Sequence, residues 1–207
     1  LTRSPHLRLT RPAALLGATA YMLSDPFVTH LGHPQINDAM AWFPWALIGL
    51  DWALAAPSWW EAALGGIPLA LMVLGGHGQV SLYGLVAAGL YGILTCLGPA
   101  SRELALPARV GRLALAALVG FTLSAPMTLP GIERLPWTVR TLMPRELRRG
   151  YEFIPPLLID SLAPCFHGCS VEQIWMRMDK VEKAYVGAVA LYLALWGVIA
   201  WPRRALP

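Results

Sequence analysis

Short apolar segments alternate with polar turns along the whole chain, and each apolar segment carries at most one charged residue. A transmembrane helix needs about 20 apolar residues to cross a hydrocarbon core of about 30 Å. The longer segments approach that length, whereas the shorter ones predict short or interrupted helices. The pattern therefore predicts an all-α, polytopic transmembrane helix bundle of about six spans, at residues 12–23, 40–56, 62–74, 80–97, 113–129 and 184–201.

The composition agrees with a membrane protein. Hydrophobic residues make up 56% of the chain and charged residues 14%, whereas a soluble domain carries about 25% charged residues. The mean hydropathy is +0.52. The net charge of +4 comes from arginines beside apolar segments rather than from one patterned face, which argues against a nucleic-acid partner.

The distribution of arginine predicts the orientation of the spans. Arginines cluster at the N-terminal end, in the loop at residues 98–112 and at the C-terminal end, which alternate onto one side of a six-span bundle. By the positive-inside rule that side is cytoplasmic. The loops at residues 24–39 and 75–79 contain no lysine or arginine and fall on the outer side. We therefore expect five helices with two outer loops in residues 1–129, an extracytoplasmic segment at 130–183, and the last helix with a basic end in 184–207.

Two polar sequences in the outer loops repeat each other. Gly32-His33-Pro34-Gln35 is echoed by Gly76-His77-Gly78-Gln79. Histidine and glutamine donate and accept hydrogen bonds, and glycine turns expose backbone N–H groups that cradle anions. Together with His30, the two sequences predict one site for phosphate or sugar hydroxyl groups at the extracytoplasmic face.

Metal binding is an alternative use of the same region. Imidazole and carboxylate groups suit zinc or manganese, and the outer loops supply them in His30, His33, Asp38 and His77. Their spacing matches no closed structural motif, and histidines beside proline or glycine turns also bond free backbone carbonyls. No metal site is therefore predicted, and a divalent cation stays open as an alternative.

Asp51 is a charged residue within the predicted span at residues 40–56. An intramembrane carboxylate is a candidate functional group. Because Asp51 lies about one and a half turns from the end of the span, however, we expect its carboxylate to reach interfacial water.

The long segment at residues 130–183 offers two further features. Arg148, Arg149 and Glu152 belong to a charge run that is typical of a solvated face, but with Tyr151 it also fits an anionic lipid head group. Cys165 and Cys169 are compatible with a disulfide, with a metal pair that includes His167, or with two free thiols.

A resemblance to a known family covers nearly the whole chain. Residues 12–54 and 69–93, with the motifs HLGHPQIND and LGGHGQVSLYG, are followed by RRGYEFIPPLL and KAYVGAVALYLALW in the family's order. This arrangement resembles the YfhO-like bacterial membrane proteins, which are similar to the GT-C glycosyltransferases. The family's chain is much longer, so we expect this sequence to be an internal or C-terminally truncated fragment.

The resemblance implies a function at the inner membrane. Such enzymes pass a sugar from a polyprenyl-phosphate donor to an acceptor outside the cytoplasmic membrane, such as an envelope polymer or glycan. It implies that His33, Gln35, His77 and Gln79 occupy motif positions near the outer face, and that Tyr151 and Glu152 begin the outer segment that approaches them. The usual catalytic carboxylate of these enzymes lies in a loop upstream of this sequence. Asp25-Pro26 stands where the family has a Ser-Gly pair.

Roles within this chain follow from that chemistry. Asp38 is the best local candidate for a general base, and the histidines with Arg148 or Arg149 are candidates for stabilising the departing lipid phosphate. Two alternatives remain open, a lipid or solute transporter with interrupted helices and a non-catalytic membrane subunit whose polar clusters cap helices or bind lipid.

Overall fold

The computed structural model describes residues 10–98, 104–138 and 188–200, and all regular structure in those ranges is helical. The all-α prediction is confirmed there. Two stretches, Gly78–Leu97 and Leu106–Trp137, are long and apolar enough to cross a membrane. The helices are α1 Arg11–Met22, α2 Asp25–Thr29, α3 Pro34–Ala55, α4 Trp59–Leu64, α5 Ile67–Leu74, α6 Gly78–Leu97, α7 Leu106–Arg134, which a 3₁₀ turn Leu135–Trp137 follows, and α8 Ala188–Ala200.

The chain divides into two compact units. The first, called the bundle below, is His30–Ile132 with a short N-terminal segment and the last residue, and it contains α3 to α6 and nearly all of α7. The second contains Pro12–Thr29 and Glu133–Leu206. In the second unit α1 ends where the Ser24 hydroxyl donates to the Tyr21 carbonyl at 2.7 Å, and the rings of Tyr21 and Phe27 pack edge to face.

Helix α3 begins six residues before the apolar pattern predicts. His33 is its N-cap residue and Pro34 occupies the first turn, where the missing proline N–H costs no hydrogen bond. The predicted loop at residues 24–39 is therefore largely helical, because it contains α2 and the first turns of α3.

The predicted span at residues 62–74 is two short helices. Helix α4 is capped by Ser58, whose hydroxyl accepts the Glu61 N–H at 3.3 Å. The chain then breaks at Gly65 and Gly66, and α5 restarts with Pro68 in its first turn. The bundle therefore contains an interrupted helix at this position.

Helix α7 is longer than the predicted span at residues 113–129. It starts at Leu106, so that Arg109 and Arg112 lie inside the helix rather than in a loop, and it continues through Pro126 and Pro130 to Arg134. At about 1.5 Å per residue, its 29 residues extend over about 43 Å.

The helices of the bundle alternate in direction. Positions that face one another show that α3 and α6 run parallel, because Gly84 lies beside Phe43 and Gly92 beside Leu50. The α4–α5 segment runs antiparallel to α3, since Gly65 adjoins Gly49 and Gly75 adjoins Ala39. Helix α7 also runs antiparallel to α3, with Arg112 at the end of α3 and Met127 near Gly76.

Small side chains fill the contacts of the two long apolar helices, and large apolar side chains point outward. The buried residues of α6 are Ser81, Ala88, Gly92, Thr95 and Cys96, and those of α7 beyond its arginines are Ala116, Gly120 and Ser124. Exposed large side chains on α6 include Leu82, Tyr83, Val86, Leu90, Ile93 and Leu97. Small residues at helix contacts with apolar residues outside are typical of helices in lipid.

Candidate functional site

The two repeated polar sequences lie at the same end of the bundle. The space beside Gly76 is occupied by Gln35, whose Cβ and Cγ lie 3.6 and 3.7 Å from where a Gly76 Cβ would be. A Cβ on Gly75 would lie 2.7 Å from the Ala39 backbone nitrogen, so glycine permits the close approach of α5 to α3. This end, comprising residues 30–38 and 75–79, is called the His–Gln pole below.

The turn between α5 and α6 depends on glycine. Gly76 has a φ of +93°, a conformation that side chains with a Cβ rarely adopt. The N–H groups of Gly75 and Gly76 donate to the carbonyls of Leu71 and Val73 and close α5. The next residue, His77, is then placed to start α6.

His77 caps α6. Its Nδ1 accepts the Val80 N–H at 3.3 Å, which satisfies one of the free N–H groups of the first turn. The Ser81 hydroxyl donates back across the turn to the Met72 carbonyl at 2.9 Å. The sequence analysis raised helix capping only as part of the alternative of a non-catalytic subunit, because histidine is not among the common N-cap residues.

His33 occupies the same position at the start of α3 but is exposed, and its side chain makes no capping hydrogen bond within that first turn. Its ring lies edge to face with that of His30, at 6.0 Å between centroids. The Asn37 amide donates to the His30 carbonyl at 3.1 Å, which ties the preceding turn to α3. The His33 imidazole is thus presented at the surface of the pole.

The remaining predicted side chains differ in their surroundings. Gln79 is exposed, and its amide donates to the Tyr83 hydroxyl at 2.9 Å. Asp38 is exposed on the second turn of α3, three residues after Gln35 and therefore on the same side of the helix. Tyr83, just beyond the pole on α6, is a polar partner of Gln79 that the sequence analysis missed, although its i+4 spacing from Gln79 is visible in the sequence.

The pole combines two helix N-termini with the Asp38 carboxylate and the C-terminal end of α5. The N-terminal ends of α3 and α6 both lie there, and neither first turn contains an acidic residue. Each helix N-terminus is equivalent to about half a positive charge. Backbone N–H groups of first turns are a common binding element for phosphate. The first-turn N–H groups are therefore the part of the pole that suits an anion, whereas Asp38 and the end of α5 oppose it.

No metal centre forms in the part of the chain that the structure describes. Within residues 10–98, 104–138 and 188–200, no three His, Cys, Asp or Glu side chains converge in a way that would hold a metal ion. Arg148, Arg149, Tyr151, Glu152, Cys165 and Cys169 lie outside the described residues, so their predicted roles stay predictions.

The opposite end of the bundle holds a second polar group, called the arginine pole below, which consists of Asp51, Tyr91, Arg109 and Arg112. Asp51 is only 5% exposed, and one of its carboxylate oxygens accepts the Tyr91 hydroxyl at 2.8 Å. The expectation that Asp51 reaches interfacial water is therefore wrong, because α3 turns this residue toward α6. Arg109 and Arg112, 9% and 6% exposed, are also buried there.

The buried arginines of the arginine pole serve as helix caps. The Arg112 guanidinium donates to the Ala56 carbonyl at the end of α3, and the Arg109 guanidinium donates to the Cys96 carbonyl at the end of α6. The last carbonyls of a helix lack partners inside the helix, and cations near them also oppose the helix dipole. These contacts account for two charged side chains inside an apolar bundle.

Comparison with known proteins gives no relative for this chain. No protein-family model, no curated protein and no solved structure matches it.

Proposed function

We propose that this chain is a membrane-embedded part of a bacterial GT-C-type glycosyltransferase, and that its His–Gln pole binds the phosphate of a polyprenyl-phosphate sugar donor. The observation that carries the proposal is the meeting of two helix N-termini at one end of the bundle. Helices α3 and α6 each start directly after a histidine there, with no acidic residue in either first turn. Such a place attracts a phosphate.

The membrane arrangement is part of the same proposal. The buried arginines and the two histidines lie at opposite ends of α3 and α6, which are about 30 Å long at 1.5 Å per residue. That length matches the hydrocarbon core of a bilayer. We assign the His–Gln pole to the extracytoplasmic side and both ends of the chain to the cytoplasmic side of the inner membrane, in a bundle of six spans.

The pole suggests a division of roles. The donor phosphate is held by the first-turn N–H groups, His33 and His77, while Gln35 and Gln79 bond sugar hydroxyls. Asp38 shares the side of α3 that carries Gln35 and is the candidate general base in this chain. It takes the proton of the acceptor hydroxyl as that oxygen attacks the anomeric carbon and the lipid phosphate leaves.

A second candidate is a non-catalytic membrane subunit, which two contacts favour. His77 accepts the Val80 N–H and Gln79 donates to Tyr83, so both side chains already perform structural work. On this view the pole is a capped helix end that contacts lipid head groups.

Binding to the donor lipid tests the phosphate site directly. The probe is undecaprenyl phosphate in phosphatidylcholine nanodiscs, and the bound fraction is measured by native mass spectrometry. His33→Ala is expected to weaken binding at least tenfold, because it removes the imidazole that holds the phosphate in this proposal. The fold should tolerate the change, since the His33 side chain is exposed. Ser58→Ala, at the opposite end of the bundle, serves as the control. Equal binding by the wild type and His33→Ala contradicts the site.

Two substitutions at His77 separate the two candidates. Asparagine is a strong N-cap residue, so His77→Asn keeps the cap of α6 and removes the imidazole, whereas His77→Ala removes both. Sugar transfer by the full-length enzyme is lost in both variants if His77 contacts the phosphate. Transfer that survives in His77→Asn and fails in His77→Ala shows that His77 acts only as a cap.

A further inference from the structure

Helix α7 is held firmly at its start. Arg109 and Arg112 donate to the terminal carbonyls of α6 and α3, and the Arg112 guanidinium also lies over the Trp59 ring, at 5.8 Å from its centroid. Gly111 makes room for that ring, because a Cβ there would lie 2.9 Å from the indole. The first two turns of α7 therefore contact three other helices of the bundle, α3, α4 and α6.

Close packing against the bundle continues to the middle of α7. Gly66 and Gly120 lie in close backbone contact, and a Cβ on Gly120 would come within 3.0 Å of the Leu69 Cβ. Ala116, one turn earlier, is fully buried. Between Arg109 and Gly120 the helix thus has close neighbours in every turn.

The next turns of α7 are built to bend. Pro126 and Pro130 lie inside the helix, and each removes one backbone hydrogen bond and crowds the preceding turn. Side-chain hydroxyls also donate to backbone carbonyls in the same region. The Ser124 hydroxyl donates to the Phe121 carbonyl at 3.1 Å, and the Thr128 hydroxyl donates to the Ser124 carbonyl at 3.0 Å. Side chains that bond back to the helix in this way often bend it, and prolines are the usual site of sharp kinks.

Beyond the prolines α7 is exposed. Every residue from 129 to 137 is exposed, and Met127 touches the bundle at the His–Gln pole, with its Cε 4.0 Å from where a Gly76 Cβ would be. The same position is the one that Gln35 approaches. The bending segment therefore lies directly beside the candidate site.

We propose that α7 is a hinged arm, fixed from Arg109 to Gly120 and bending between Ser124 and Pro130, which opens and closes the side of the His–Gln pole next to Gly76 and Gln35. The inference goes beyond the proposed function and is independent of it, because it concerns access to the pole whatever binds there. Met127 is the contact that forms and breaks.

Distance measurements by pulsed electron paramagnetic resonance test the arm. One spin-label pair reports on the arm, at Leu82→Cys and Ile132→Cys; a matched pair reports on the fixed end, at Leu97→Cys and Val110→Cys. All four positions are exposed on α6 or α7, and the native cysteines are replaced by serine. The protein is reconstituted in phosphatidylcholine nanodiscs.

The arm predicts a distance distribution at least twice as broad for the first pair as for the second. Pro126→Ala with Pro130→Ala is expected to narrow the first distribution to about the width of the second and to leave the second unchanged. Equal widths for the two pairs in the chain with its prolines intact overturn the proposal, and that comparison needs no folded proline variant. A first distribution that keeps its width without the prolines, while the second is unchanged, also overturns it.

Discussion

Replacing Arg112 tests whether a buried guanidinium holds the end of α3. Arg112 is 6% exposed, donates to the buried Ala56 carbonyl and lies 3.5 Å from the Leu54 carbonyl. In Arg112→Leu those carbonyls lose their donor. We expect the variant to insert and fold but to unfold more easily than the wild type.

Three contributions set the expected change in the free energy of unfolding of Arg112→Leu. A buried carbonyl without a partner costs about 1–3 kcal/mol, and the lost contact with the Trp59 ring costs about 0.5–2 kcal/mol. Leucine in turn avoids the desolvation of a charge, which offsets part of the loss. The expected net loss is about 2–4 kcal/mol, or roughly 30- to 800-fold in the unfolding equilibrium constant. Lysine keeps the charge but not the planar fork, so Arg112→Lys should lose about 1–2 kcal/mol.

The assay is reversible unfolding in mixed micelles of dodecyl sulfate, followed by tryptophan fluorescence. Arg134→Leu is the matched control, because that arginine lies in the last turn of the same helix and is exposed; its change should stay within about 0.5 kcal/mol. An Arg112→Leu protein as stable as the wild type, or more stable, would refute the capping argument. It would mean that desolvation of the guanidinium outweighs its hydrogen bonds.

Three further predictions concern other parts of the bundle. Tyr91→Phe removes the donor to the buried Asp51 carboxylate and should lower the free energy of unfolding by about 1.5–3 kcal/mol in the same assay; a change below 0.5 kcal/mol, about the scatter of surface substitutions, speaks against that bond. Gly66→Ala places a methyl group against the Ala116 carbonyl and should lower the free energy of unfolding by about 1–3 kcal/mol. The control is Gly89→Ala on α6, whose methyl group would meet nothing within 4 Å and should be neutral or stabilising by up to about 1 kcal/mol. Equal effects of the two substitutions would contradict the close contact of α5 and α7. In a chain whose native cysteines are replaced by serine, a membrane-impermeant maleimide should label His33→Cys in intact cells and Ala105→Cys only after permeabilisation. Labelling of Ala105→Cys but not of His33→Cys from outside would reverse the assignment of the two poles.

The sequence pattern predicted helices better than it predicted where they begin and end. Residues 34–39 were read as loop because Gln35, Asn37 and Asp38 are polar, yet a polar first turn led by proline is an ordinary helix start. Arg109 and Arg112 were read as loop residues for the same reason. Their partners are carbonyls more than ten residues away in sequence, so only the tertiary structure shows that two buried guanidinium groups donate to helix ends there.

The candidate site was predictable in outline and not in its contacts. The repeated Gly-His-x-Gln sequence pointed to two similar turns, and the parallel course of α3 and α6 places their starts at one end of the bundle. The difference between the two histidines was not predictable. His77 is engaged by Val80 because Gly76 turns the chain into the cap position, whereas His33 stays exposed at the start of α3.

The outward face of α6 bears on which solvent surrounds that helix. Leu82, Val86, Leu90, Ile93 and Leu97 are each more than half exposed, while the buried side of the helix carries alanine, glycine, serine, threonine and cysteine. Fully burying a large apolar side chain gains about 1.5–3 kcal/mol relative to leaving it in water, so five side chains that are each more than half exposed forgo roughly 5–9 kcal/mol, comparable to the whole stability of an ordinary domain. A helix that evolved in water would turn these residues inward and the small ones outward. The reversed arrangement is stable if α6 is surrounded by lipid, and the His–Gln pole and the arginine pole then lie at its two surfaces.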